Sequence, residues 1–207
     1  MNRDRFSYPI SRIGIIGGGQ LAKMTAQAAL KMGFQVNVLD PSSHCPAALL
    51  ANIHLVGSLY DAAKLRELAN LSEVLTYDVE HIDTETLKIL HQEGHTIYPS
   101  PYLLEIIQDK FLQKQVLAQH GVPVPRFEPV ALLTADYLTR SSFPLVQKTR
   151  TGGYDGKGVV ILNGPADLVK VLPGPSLVEE FVDFTKELAI IIARTATGET
   201  ACYPVVE

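Results

Sequence analysis

Residues 12–40, RIGIIGGGQLAKMTAQAALKMGFQVNVLD, decide the reading of the fold. Arg12 to Ile16 is a short apolar run that ends in Gly17-Gly18-Gly19. Gln20 to Met32 has helical character and stops at Gly33, and Gln35 to Leu39 is a second strand closed by Asp40-Pro41. Strand, glycine turn, helix and strand in that order predict a parallel sheet with helices on its faces. The rhythm continues outward. Ile53–Val56 reads as a strand, Asp61–Ala69 as a helix capped by the Asp61 carboxylate, Val74–Val79 as a strand, Thr84–Gln92 as a helix and Thr96–Tyr98 as a strand. Ser100-Pro101 starts a further helix, because serine suits the cap and proline the first helical position. Leu103, Ile107 and Phe111 recur every four residues and predict a buried stripe on that helix, which Gly121 ends.

Beyond Pro123 and Pro125 the pattern changes. Pro144–Lys148 reads as a strand, Thr149–Gly158 as a glycine-rich loop and Val159–Leu162 as the returning strand. A short helix over Ala166–Leu172 follows, then strands over Ser176–Phe181, Glu187–Arg194 and Thr200–Val206. Strands that follow one another directly suggest an antiparallel α+β module. The expected division is residues 1–100, a Rossmann-like α/β domain, and residues 101–207, an α+β domain. The second has a small lobe over about 122–180 and the start of a large lobe over about 181–207.

Two glycine motifs carry chemistry. Gly17, Gly19 and Ala22 fit the G-x-G-x-x-G/A pattern between a strand and a helix, and Asp40 supplies the acidic residue about twenty positions later. A dinucleotide site, a site for a phosphorylated substrate and a tight turn with no ligand all remain open at this point. The second motif is Lys148-Thr149-Arg150-Thr151-Gly152-Gly153-Tyr154-Asp155-Gly156-Lys157-Gly158. Glycines let a loop fold over a ligand with its N–H groups inward, and the flanking cations neutralise phosphates. Each such pair at contact distance contributes roughly 4 kcal/mol at an effective dielectric near 20, before desolvation. The spacing matches neither a Walker loop nor a kinase loop. A solvated loop with incidental charges is the alternative, and Lys148, which interrupts an apolar strand, argues against it.

Composition limits the function classes. The net charge is −4 and no basic patch occurs, so nucleic acid is not an expected partner. No apolar run approaches membrane-spanning length and Met1 to Pro9 lacks a secretory core, so a cytoplasmic protein is expected. Cys45 and Cys202 lie far apart with no CxxC spacing, and His44, His54, His91, His95 and His120 have no ligand-like spacing. No metal site is expected within the chain.

Six motifs in order resemble the ATP-grasp ligases, and within them the 5-(carboxyamino)imidazole ribonucleotide synthetase family. They are Gly17 to Leu21 with Met24, Asp40-Pro41 with Pro46-Ala47, Tyr77 to Glu80, Asp109-Lys110 with Gln113-Lys114, Lys148 to Gly158, and Val178 to Phe181 with Glu187. The resemblance covers nearly the whole chain. It implies a Rossmann-like pre-ATP-grasp domain followed by an incomplete α+β ATP-grasp domain, with ATP and Mg²⁺ as cofactors. Aminoimidazole ribonucleotide and bicarbonate are the implied substrates, and a homodimer the implied assembly. It assigns Lys110, Lys148, Gly153, Gly156 and Gly158 to ATP phosphates and the covering loop. Glu179, Glu180, Phe181 and Val182 fall to the adenine linker and Glu187 to ribose. Gly19, Gln20, Glu80, Tyr154 and Lys157 fall to the substrate, and Asp155, with Tyr154 and Lys157, to catalysis. Lysine stands at 110 and 157 where the family usually has arginine, which keeps the charge and loses the two-pronged donor. Tyr77-Asp78 replaces a more usual aromatic-glutamate pair. Family members continue past residue 207, and their magnesium carboxylates have no counterpart here, so this length is expected to be inactive alone. The rival readings are a nicotinamide-dependent oxidoreductase, a non-catalytic ATP-grasp remnant and a formate-using transformylase of the same superfamily.

Overall fold

The computed structural model describes residues 11–153 and 156–207; Tyr154 and Asp155 lie outside the described residues. Five parallel strands form the first sheet. They are β1 (Arg12–Ile16), β2 (Gln35–Asp40), β3 (Ile53–Val56), β4 (Val74–Tyr77) and β5 (Thr96–Ile97), ordered β3-β2-β1-β4-β5. The order reverses between β1 and β4, and their carboxyl ends there open a crevice of the kind in which such sheets bind ligands. Helix α1 (Gln20–Lys31) covers one face. It does so closely because its inward positions are the small residues Ala22, Ala26 and Ala29, packed on Ile15, Val36 and Val38. Helices α2 (Ala62–Leu71) and α3 (Thr84–Gln92) cover the other face with Leu65, Leu68, Leu87 and Leu90 against Ile16, Leu39 and Leu75. The Asp61 cap forms as the sequence predicts, accepting from the backbone N–H of Ala63 and Lys64 at 2.9 and 3.2 Å.

The helix expected from Pro101 to Gly121 is instead two helices, α4 (Pro101–Gln108) and α5 (Lys110–Gln119). The break is Asp109, whose extended backbone leaves its carboxylate to accept from the N–H groups of Phe111 and Leu112 at the start of α5. The break also cancels the expected stripe. Leu103 and Ile107 are 46% and 39% exposed, and α4 buries Leu104, at 1%, together with Pro101. Ser100 holds the cap position of α4 without a side-chain hydrogen bond.

The second sheet is antiparallel, ordered β6-β9-β7-β8. Its strands are β6 (Phe127–Val130), β7 (Leu145–Thr149), β8 (Val159–Leu162) and β9 (Ser176–Glu180). Strand β6 and helix α6 (Ala135–Arg140) were not legible in the sequence. The strand carries Pro129, which cannot donate to a ladder and is tolerated because β6 is an edge. Ala166–Leu172, expected to be a short helix, is a 3-10 turn over Pro165–Lys170. Leu133, Leu138, Leu145, Leu162 and Val178 form the core on the α6 side. The strands expected over Glu187–Arg194 and Thr200–Val206 shrink to β10 (Ile192–Arg194) and β11 (Thr200–Cys202), joined as a hairpin with an added bridge between Ala189 and Val206. The residues from 182 onward are exposed, so little packing supports longer strands. Among the described residues no helix is long and apolar enough to cross a membrane.

Candidate functional site

The first glycine motif lies at the crevice. Gly17 has φ +89°, and its N–H donates to the carbonyl of Leu39 at 2.9 Å. Gly18 donates to Asp40 Oδ2 at 2.7 Å, while Asp40 Oδ1 accepts from the N–H of Ser42 at 2.8 Å. A Cβ on Gly18 would meet Cys45 Sγ at 2.3 Å. Both Asp40 oxygens are therefore engaged in shaping the turn, and a buried thiol covers it. Burial, and then the neighbouring Asp40, push that thiol's pKa up, which suits a packing role. A dinucleotide site needs the acidic residue at the end of the second strand for a ribose hydroxyl, so this geometry counts against the nicotinamide reading.

Beside the turn, Gly19 caps α1 and faces Asp78, whose Oδ2 would lie 2.7 Å from a Cβ at that position. Gln20 is exposed at the first position of the helix, where unsatisfied N–H groups favour an anion. The loop after β4 carries Glu80, half-buried and 3.4 Å from His81 Nε2. Gln108, the last residue of α4, holds this loop by donating to the carbonyls of Glu80 and Ile82 at 2.7 and 2.8 Å.

The next two residues bind the other half of the molecule. Asp109 accepts from Arg150 Nε at 3.1 Å through each oxygen and pairs with its Nη2 as well. Burial pushes the Asp109 pKa up, but Arg150 and the two α5 N–H groups outweigh it and hold the carboxyl below its ordinary value. The Arg150 guanidinium lies 5.2 Å from the centre of the Phe111 ring. Lys110 donates through its backbone N–H to the carbonyl of Arg150 at 2.9 Å and through Nζ to that of Gly153 at 3.2 Å. Burial lowers the Lys110 pKa. The nearby Glu80 and Asp109 oppose that change, and Lys148 adds to it. Lys110 thus lies within electrostatic reach of Glu80, on the loop after β4, and of Lys148 in the second sheet.

Lys148 on β7 and Lys114 on α5 meet Glu179 on β9. Glu179 is 6% exposed; Lys148 Nζ pairs with its Oε1, and Lys114 Nζ lies 2.6 Å from its Oε2. The Lys114 contact is an ion pair lying off the hydrogen-bonding direction. The glycine loop follows directly on Lys148 near the end of β7. Gly153 and Gly158 pinch together at its neck: a Cβ on Gly158, at φ +74°, would lie 2.4 Å from Thr149 Oγ1. A Cβ on Gly153 would lie 2.6 Å from the Lys157 carbonyl. Gly156 also has positive φ, and Lys157 is exposed.

Of the residues singled out in the sequence, Lys110, Lys148, Gly153, Gly158 and Glu179 come together in this way. The Glu180 side chain turns toward the opposite sheet face and lies 3.4 Å from Arg126 Nε. Phe181 is half-buried, and Val182 and Glu187 are exposed on the segment leading to the hairpin. Asp109, Lys114, Gln108 and Arg150 were not proposed as site residues. The i, i+4 pair Lys110 and Lys114 was the available signal, because it puts two cations on one helix face. Among the described residues no group of three His, Cys, Asp or Glu side chains could hold a metal ion.

Residues 10–108 match the ribonucleotide synthetase preATP-grasp domain family, and residues 115–207 match the ATP-grasp domain family. An N5-carboxyaminoimidazole ribonucleotide synthase of Synechococcus elongatus is 39% identical over 205 residues, spanning 96% of this chain and 52% of that protein. The crystal structure of the corresponding synthetase from Thermotoga maritima superposes with a TM-score of 0.84 at 48% identity, over 95% of this chain and 53% of that one. The Aspergillus clavatus enzyme, solved in complex with ADP and 5-aminoimidazole ribonucleotide, superposes with a TM-score of 0.86 at 30% identity, over the same two shares. The chain thus spans about half the length of the relatives it matches. Its two matched regions, its parallel sheet with a glycine turn at the switch point and its antiparallel sheet agree: the chain carries a preATP-grasp region followed by an ATP-grasp region and is similar, over nearly its whole length, to N5-carboxyaminoimidazole ribonucleotide synthetases.

Proposed function

We propose that this chain supplies the substrate side and the phosphate-binding lobe of an ATP-dependent carboxylase acting on 5-aminoimidazole ribonucleotide. In this reading residues 1–100 form the substrate side and residues 101–207 the nucleotide side. ATP phosphorylates bicarbonate to carboxyphosphate, and the exocyclic amine of the ribonucleotide takes up the carboxyl group as a carbamate while phosphate leaves. The protein's contribution to such a transfer is positioning and charge neutralisation. Lys110 and Lys148 take ATP phosphate oxygens beneath the loop from Gly153 to Gly158, and the backbone from Glu179 to Val182 borders adenine, with Glu187 near ribose. Gly19 and Gln20 at the start of α1, with Glu80, face the ribonucleotide. Tyr154, Asp155 and Lys157 complete the substrate side, with Asp155 as proton acceptor. Magnesium accompanies ATP in this proposal. The described residues offer no carboxylate cluster to hold it.

One observation carries the reading. Lys110, the first residue of α5, reaches the Gly153 carbonyl, and Gln108, two residues earlier at the end of α4, grips the Glu80 loop, so one short junction holds the loops of both sheets. Calorimetric titration of this chain with ATP, ADP and NADH tests it. Binding of ATP and ADP without NADH is expected; binding of NADH with no response to ATP overturns the proposal. In a version extended to the full length of the relatives, release of ADP that depends on bicarbonate separates the carboxylase from the formate-using alternative, which requires formate instead.

A further inference from the structure

Glu179 is a buried carboxylate with two ammonium partners where one would neutralise it. Its oxygens divide them. Oε1 pairs with Lys148, and Oε2 lies 2.6 Å from Lys114. The two lysines differ in what else they face. Lys148 is 28% exposed and close enough to Lys110 to perturb it, and Lys110 reaches the neck of the glycine loop. Lys114 is 16% exposed and lies one helical turn beyond Lys110 on α5. Lys148 therefore belongs to the phosphate side of Glu179 and Lys114 to its inner side.

A charge-paired Lys148 is poorly placed to bind a phosphate, because leaving Glu179 would strand a carboxylate with almost no solvent. Breaking a buried pair by removing one member is strongly unfavourable for that reason. A second ammonium on the other oxygen removes the obstacle. We infer that Lys114 is a positioning residue that holds the charge of Glu179 when Lys148 leaves it for a nucleotide phosphate. The inference rests on the nucleotide reading for its consequence, but the charge arrangement stands by itself. Lys114 touches no phosphate in this scheme. It sets how easily Lys148 can be released, so its loss locks Lys148 onto Glu179.

Lys114→Met and the double variant K114M/E179Q test this in the chain as it stands, with mant-ADP fluorescence as the binding readout and urea and thermal unfolding as a readout that needs no nucleotide. Loss of Lys114 alone is expected to weaken mant-ADP binding about tenfold. The double variant, which has no carboxylate to hold Lys148, is expected to return to within about threefold of the unaltered chain. The same recovery is not expected in K148M/E179Q, which lacks the phosphate ligand itself. In unfolding, K114M and K148M should each be mild, whereas K114M/K148M should lose on the order of 10 °C in Tm, well beyond the sum, because Glu179 is then buried without a cation. Undiminished mant-ADP binding by K114M, or no recovery with E179Q, overturns the positioning role. Single variants as unstable as the double overturn the arrangement itself, since neither lysine would then suffice. A chain that binds no mant-ADP while showing the expected non-additive unfolding overturns the nucleotide reading, and with it the consequence for binding, while leaving the charge arrangement intact.

Discussion

Asp109 does three things that no neighbouring residue can share. It ends α4, caps α5 and fixes Arg150, so a single short carboxylate sets where Lys110 points. Asp109→Ala is expected to destabilise the chain by about 2 kcal/mol, from a lost cap and a lost partly buried ion pair. Asp109→Asn should cost less, because asparagine still caps; urea denaturation distinguishes the two. The pH dependence follows from the direction of the shift. The folded carboxyl titrates below its ordinary value of 3.8, so as pH falls the unfolded chain takes up the proton first. The contribution of Asp109 is complete above about 3.8 and is lost as pH falls through the lower folded value; Asp109→Asn should flatten that part of the acid unfolding curve. Lys148→Ala belongs to the same scale. If Lys148 takes a phosphate oxygen, its loss removes a charge-assisted contact of roughly 1.5–3 kcal/mol, a ten- to hundredfold fall in ATP affinity measurable by calorimetry. The fold should tolerate it, because Lys114 remains on Glu179.

At the scale of the element, the glycine loop is held at its neck. Strands β7 and β8 pair as far as Lys148 and Val159, and the Thr149 N–H then donates to the Gly158 carbonyl at 2.8 Å. A side chain at Gly158 meets both a left-handed backbone and the Thr149 hydroxyl. Gly158→Ala should therefore destabilise the chain by about 1–3 kcal/mol and weaken nucleotide binding together. A variant that unfolds like the parent and binds like it would show that the neck does not set the loop. The hairpin of β10 and β11 presents the opposite case. Leu188, Ile191, Ile192, Tyr203 and Val206 are each more than half exposed, and isolated two-stranded hairpins are marginal in water. Brief trypsin treatment of this chain should cut first after Lys186 and Arg194, leaving residues up to β9 intact. Cleavage within β1 to β5 at comparable rates would contradict that ordering.

Across the whole molecule the junction at Gln108, Asp109 and Lys110 is what joins two sheets of different kinds. Gln108 grips the loop after β4 of the first sheet, and Asp109 and Lys110 grip the loop of the second. The carboxyl ends of β1 and β4, where Gly19 and Asp78 meet, and the lysines around Glu179 are thereby fixed relative to one another. A net charge of −4 says nothing of this, since the cations that matter are gathered locally.

The amino-acid sequence alone determined the parallel sheet, the glycine turns and the Asp61 cap, because each follows from patterns within a few residues: apolar runs, positive-φ glycines and a capping carboxylate. It also placed Lys148 near the end of a strand that leads into a glycine-rich loop. Tertiary structure alone decided the rest. The break at Asp109 depends on Arg150, forty-one positions away, and the exposure of Leu103 follows from that break. The use of Asp40 on Gly18 and the sharing of Glu179 by Lys114 and Lys148 depend on partners that only the packed sheets bring together. Charges and caps that close over long sequence separations leave no periodic trace in the chain, and that is why pattern reading stopped at them.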